Sequence, residues 1–307
     1  MLLNRFSRLV YLGDSNADTG NVFSMTNGTG PMPSHVYWNG RYSNGMMWVD
    51  HLNSFGPSES IVLAHGCATI DNSIVSGTVA MPDATSSEVP SLTDQISLLL
   101  AKVGKLSPED LVFVFVGSND LNSMITDGPP YIKKQALTLR LLATRLQQEV
   151  ERLCLEVGAR NAIVMSVRPR EDYPGVLALN DPAKLEFTRQ ATSEFNAMVC
   201  QDMAELQERL GSSYRIGVFD TYAFQKRITQ DPAAAGIDPD LQTPCNRVAA
   251  ESAQAPDKQI VVPLSNPETK LFVDDFHLAK RAQGLLAAEM VRYISLMLAT
   301  EQCAAQQ

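Results

Sequence analysis

The chain has 307 residues, 45% hydrophobic and 19% charged, with 25 Lys and Arg against 34 Asp and Glu for a formal net charge of −9 at pH 7. This is an ordinary composition for a soluble globular protein. The acidic balance, with no Lys/Arg-rich run, argues against a nucleic-acid partner and gives no polybasic pull toward anionic lipid.

No apolar stretch approaches the ~18 residues that would span a bilayer; the longest, Leu111 to Val116, has the length of a strand. Met1 to Phe6 is too short for a signal peptide, and a strand-like run follows at once. A cytoplasmic location is therefore expected, or a secreted one if a leader has been removed. The whole of 1–307 is expected to form one domain.

In chain order, strand-like runs occupy 8–12, 60–64, 111–116, 161–167 and 214–219. The third is continuously apolar, as suits a strand covered on both faces. Helical spacing fills 91–103 (Leu92, Ile96, Leu99 and Leu100 on one face), 132–157, 182–210 and 278–299, and a shorter stretch runs from Gly45 to Leu52. Such alternation implies an α/β fold, a parallel sheet between helical layers. Two segments resist the pattern, 24–45 and the proline-rich 222–270. Both are expected to be long loops beside a binding face.

The five cysteines are odd in number and lack CxxC spacing, so reduced thiols are expected.

Three features follow strand C-termini: Gly13-Asp14-Ser15, His65-Gly66-Cys67-Ala68 and Gly117-Ser118-Asn119-Asp120. In a parallel sheet those ends share one rim, where α/β proteins bind ligands. A fourth, Asp274-Asp275-Phe276-His277, precedes the last helix. Serine is a weak nucleophile at neutral pH, and a histidine steadied by a carboxylate can take its proton. Ser15, His277 and Asp274 are thus candidates for nucleophile, base and orienting acid. The N–H groups of Ser15 and Gly66 and the amide of Asn119 are candidate donors to the oxyanion that forms on attack. Each residue also has a plain reading: Ser15 as a helix N-cap, Asn119 as a turn residue, Asp18 as a helix-start carboxylate, and Asp275 as a solvated neighbour of Asp274. His65, Tyr37, Trp38 and Tyr42 could line the pocket or simply pack. Carboxylates at Asp14, Asp18, Asp274 and Asp275 leave a Mg²⁺-dependent hydrolase as a rival, and a non-catalytic ligand-binding module is another.

As a set, Gly13-Asp14-Ser15, Asp18-Thr19-Gly20-Asn21, Gly66, Gly117-x-Asn119-Asp120 and Asp274-x-x-His277 resemble the SGNH/GDSL hydrolases. Asn39 to Gly45 with Trp48-Val49-Asp50, and Val89 to Ile96, resemble its plant-lipase-like and bacterial phospholipase/acyltransferase branch. The resemblance spans nearly the whole chain. It implies a flavodoxin-like three-layer α/β/α fold with about five parallel strands, and a serine esterase or lipase that needs no cofactor. Its substrates would be small-molecule or lipid acyl esters, and acyl transfer would use the same acyl-enzyme. The nucleophile falls on Ser15, the oxyanion donors on Ser15, Gly66 and Asn119, and the acid–base pair on Asp274 and His277. Asn16 stands for the family's leucine, His-Gly-Cys-Ala for Gly-Gly-Ala, and Leu278 for the proline after the histidine.

Overall fold

The computed structural model describes residues 2–31, 36–126, 131–252, 255–263 and 266–304. Its elements run β1 (Arg8–Gly13), α1 (Asn21–Met25), α2 (Trp48–Phe55), β2 (Glu59–Val62), β3 (Thr78–Ala80), β4 (Ser86–Glu88), α3 (Leu92–Val103), β5 (Asp110–Phe115) and α4 (Ser118–Thr126). They continue with α5 (Tyr131–Arg152), β6 (Asn161–Met165), α6 (Pro174–Leu177), α7 (Pro182–Leu210), β7 (Arg215–Phe219), α8 (Thr221–Gln230), β8 (Asn246–Ser252), β9 (Ala255–Pro263) and α9 (Lys280–Ala304).

Five strands form a parallel sheet in the order β2-β1-β5-β6-β7. Alternate side chains point to opposite faces. Val10, Leu12, Val112, Val114 and Val164 pack beneath α3, α5 and α7, burying Ile96, Leu142 and Phe195. Leu9, Tyr11, Leu111, Phe113 and Ile163 face α2, α8 and α9, burying Trp48, Phe224 and Met290. The central strand β5 is buried at every position, which is why its sequence shows no polar alternation. The result is the three-layer α/β/α arrangement that the strand–helix alternation implied.

Local sequence signals set the helix ends. Ser91 caps α3, and Asp94 returns the bond by accepting from the Ser91 N–H at 3.0 Å. Asp181 caps α7 ahead of Pro182, which has no N–H to leave unpaired. The long helix expected over 132–157 runs as α5 into a π-type turn, Leu153–Val157, which Gly158 ends at φ 91°.

Segment 222–270 is not loop throughout. It holds most of α8 and the antiparallel hairpin β8–β9, with a break in pairing between Ala250 and Ser252. Pro256 and Pro263 stand within β9, where a ribbon strand with only one partner tolerates a missing N–H. Segment 24–45 is irregular among its described residues apart from the end of α1 and a 3₁₀ turn at Trp38–Gly40, and His35 lies outside them.

Candidate active site

Ser15 sits just past the C-terminal end of β1. Gly13 has φ 133°, and a Cβ there would lie 2.0 Å from the Phe115 carbonyl oxygen, so only glycine lets β1 turn this close to β5. The buried Gln95 amide clamps that turn, accepting from the Gly13 N–H at 2.7 Å and donating to its carbonyl at 2.9 Å. Asp14 then accepts from the backbone and side-chain N–H groups of Asn16, while Trp48 Nε1 donates to the Asn16 carbonyl. A rigid turn thus carries Ser15. Its hydroxyl caps no helix; Oγ lies 2.9 Å from His277 Nε2.

His277 precedes α9 and is held by a turn built on Asp274. Asp274 Oδ1 accepts from the N–H groups of Phe276 and His277, and Oδ2 lies 2.7 Å from His277 Nδ1. Burial by itself would raise the Asp274 pKa. The His277 ring, the Tyr37 hydroxyl and the Phe276 N–H outweigh that and hold the carboxyl below its usual range. With Nδ1–H donated to Asp274, Nε2 is left as an acceptor facing the Ser15 hydroxyl. The Tyr42 ring lies 4.9 Å from the imidazole and packs against it.

Gly66 is the expected donor that the structure corrects. Its N–H donates to Asp18 Oδ2 at 2.8 Å and is spent. Asp18 reads as the helix-start carboxylate, with Gly66 added, since it also accepts from the N–H groups of Gly20, Asn21 and Val22. Gly66 is glycine for a different reason: a Cβ there would lie 1.9 Å from the Tyr42 hydroxyl. The next residue, Cys67, lines the cleft at φ 66°, and its N–H has no acceptor among the described residues. The Ser15 N–H has none either. Asn119, in the first turn of α4, donates one amide hydrogen to the Ala68 carbonyl at 2.8 Å and keeps the other. Ser15, Cys67 and Asn119 thus each keep an N–H without an acceptor among the described residues.

Ser15, Cys67, Asn119 and His277 line one cleft of about 200 Å³ together with Asn122, Arg168, Arg170, Tyr173 and Phe276. His51 and His65 do not line it; His65 Nδ1 meets the Leu63 carbonyl instead. Tyr37 bonds to Asp274 and Tyr42 covers Gly66, so both serve the site rather than merely packing their loop. Trp38 is partly exposed beneath Arg41. Sequence reasoning missed both arginines, although their place just past β6 at the same rim was a readable signal. Among the described residues no His, Cys, Asp and Glu side chains group as a metal site. Cys67, Cys154, Cys200 and Cys245 are free thiols, and burial pushes Cys67 up to about 11, so its thiol is no nucleophile.

The model of the family described as GDSL-like Lipase/Acylhydrolase matches residues 9–290. A phosphatidylcholine-sterol acyltransferase of Aeromonas hydrophila is 25% identical over 246 residues, 78% of this chain and 65% of that protein. The secreted effector protein SseJ of Salmonella typhimurium is 25% identical over 248 residues, 79% of this chain and 53% of that protein. The chain thus spans roughly half to two thirds of the length of these curated relatives. Among solved structures, phospholipase A1 from Streptomyces albidoflavus NA297 is 14% identical with a TM-score of 0.46, covering 91% of this chain and 95% of that one.

Proposed function

The chain belongs to the GDSL-like lipase/acylhydrolase family, and we propose that it is a carboxylic ester hydrolase working through a covalent acyl–Ser15 intermediate. The observation that carries this reading is the 2.9 Å approach of Ser15 Oγ to an imidazole whose other nitrogen is tied to buried Asp274. Ser15 gives its proton to His277 Nε2 as Oγ attacks the ester carbonyl carbon. The imidazolium that forms is stabilised by Asp274. Negative charge collects on the carbonyl oxygen, where the N–H groups of Ser15 and Cys67 and the Asn119 amide receive it. Collapse breaks the ester C–O bond, and the leaving alkoxide takes the proton from His277. Water, activated by the same imidazole, then frees Ser15. An alcohol in place of water would make the reaction an acyl transfer, which product analysis separates.

Acyl esters, lipids included, are the substrate class we favour. Phe276, 44% exposed and on the cleft wall, offers an apolar contact for an acyl chain at a lipid surface. No helix among the described residues is long and apolar enough to cross a membrane. Intact-mass measurement after a fluorophosphonate probe tests the reading. One adduct on the wild-type protein, absent from Ser15→Ala, is expected; a wild-type protein that takes up no probe would refute it.

A further inference from the structure

The chemistry above leaves unused two arginines that line the same cleft. Arg168 and Arg170 are 2% and 3% exposed. Arg168 donates to Gln225 Oε1 at 3.0 Å and to the Phe276 carbonyl at 2.7 Å. Arg170 donates to the Ser118 carbonyl and to Asn122 Oδ1, both at 2.8 Å. All four acceptors are neutral. Among the described residues no carboxylate comes within 4.0 Å of either guanidinium, and both Nε–H groups are buried without an acceptor. The acids next along the chain, Glu171 and Asp172, are taken by Lys226. Asp14 acts on both arginines, and Glu171 on Arg170, only from beyond ion-pair distance. The Tyr173 ring lies 4.7 Å from one guanidinium and 5.4 Å from the other. One aromatic face offers only partial compensation for two buried cations.

Burying a charge without a counter-ion is costly, and a guanidinium fork matches the paired oxygens of a carboxylate or phosphate. We propose that Arg168 and Arg170 form an anion subsite, so that the preferred substrate is an acyl ester bearing an ionised oxyacid group near the scissile bond. The cleft is small enough that a group bound at Ser15 must lie close to both arginines. This inference rests on the reading of Ser15 as nucleophile.

Two matched substrate pairs test it and separate the two oxyacids: 1-acyl-glycerol-3-phosphate against the monoacylglycerol of the same chain, and mono-4-nitrophenyl glutarate against 4-nitrophenyl butyrate. The wild-type ratio of kcat/KM, anionic over neutral, is expected to reach about tenfold in at least one pair, and to fall about tenfold in Arg168→Gln and in Arg170→Gln. A merely structural role would lower both members of a pair together and leave the ratio unmoved. Wild-type ratios at or below one in both pairs, with neutral esters turned over, would overturn the subsite and spare the hydrolase reading. The same holds for ratios that both variants preserve. Inactivity on all four esters, with no fluorophosphonate adduct at Ser15, would overturn both.

Discussion

Tyr37 Oη lies 2.5 Å from Asp274 Oδ2, the same oxygen that His277 Nδ1 meets at 2.7 Å. A phenol 237 residues away in sequence thus shares the carboxylate that steadies the imidazole. Its donated hydrogen helps hold the Asp274 carboxyl below its usual range. Tyr37→Phe removes that donor from the carboxylate that orients the imidazole, so kcat/KM on 4-nitrophenyl butyrate should fall by about tenfold. An unchanged kcat/KM would contradict this role.

As a proposed oxyanion donor, Asn119 would act on the charge that develops during attack rather than on the ground-state ester. Asn119→Ala should lower kcat by about 10²–10³-fold, with KM far less affected. A change confined to KM, read from steady-state kinetics on a short-chain ester, would make Asn119 a binding residue instead.

Gly66 and Cys67 should respond unequally to exchange of their side chains. A methyl group at 66 would collide with the Tyr42 hydroxyl, so Gly66→Ala should cost about 1–3 kcal/mol and disturb the ring against His277. Cys67 at φ 66° sits where a side chain is strained by about 1 kcal/mol, so Cys67→Gly should cost less than Gly66→Ala. Denaturant melts of the two variants decide it, and the reverse order would contradict the geometry.

Asp120 is fully buried, and burial pushes its carboxyl up to about 7 although the Ile70 N–H donates to it. The unfolded chain ionises this group near pH ~3.9. Between those values the folded state keeps a proton that the unfolded state has lost. The stability from Asp120 is thus fully present below pH ~4 and lost as pH rises through about 7. Asp120→Asn should gain on wild type by up to a few kcal/mol between pH ~5 and ~8. A stability difference independent of pH, measured by chemical denaturation, would contradict it.

What was readable in the sequence came from signals of short range or repeated form. The apolar run at 111–116 declared a strand covered on both faces, and Ser91 with Asp94 declared a helix start. Strand ends placed Ser15 and Asn119 on one rim, and the motif near the C-terminus brought His277 to it. Other features depended on contacts that no spacing encodes. The Gly66 N–H is lost to Asp18, 48 residues earlier, so the free N–H passes to Cys67. Prolines hid the β8–β9 hairpin because proline is ordinarily a strand breaker, yet a two-stranded ribbon leaves room for it. Arg168 and Arg170 gave no sign of burial, since arginine is almost always exposed unless something pairs with it.

Activation of the Ser15 hydroxyl by His277 is probed by the turnover of 4-nitrophenyl butyrate by Ser15→Ala, with circular dichroism to verify folding. In Ser15→Ala, kcat should fall to the background rate while the fold is kept. A folded variant retaining a tenth of wild-type turnover would contradict it.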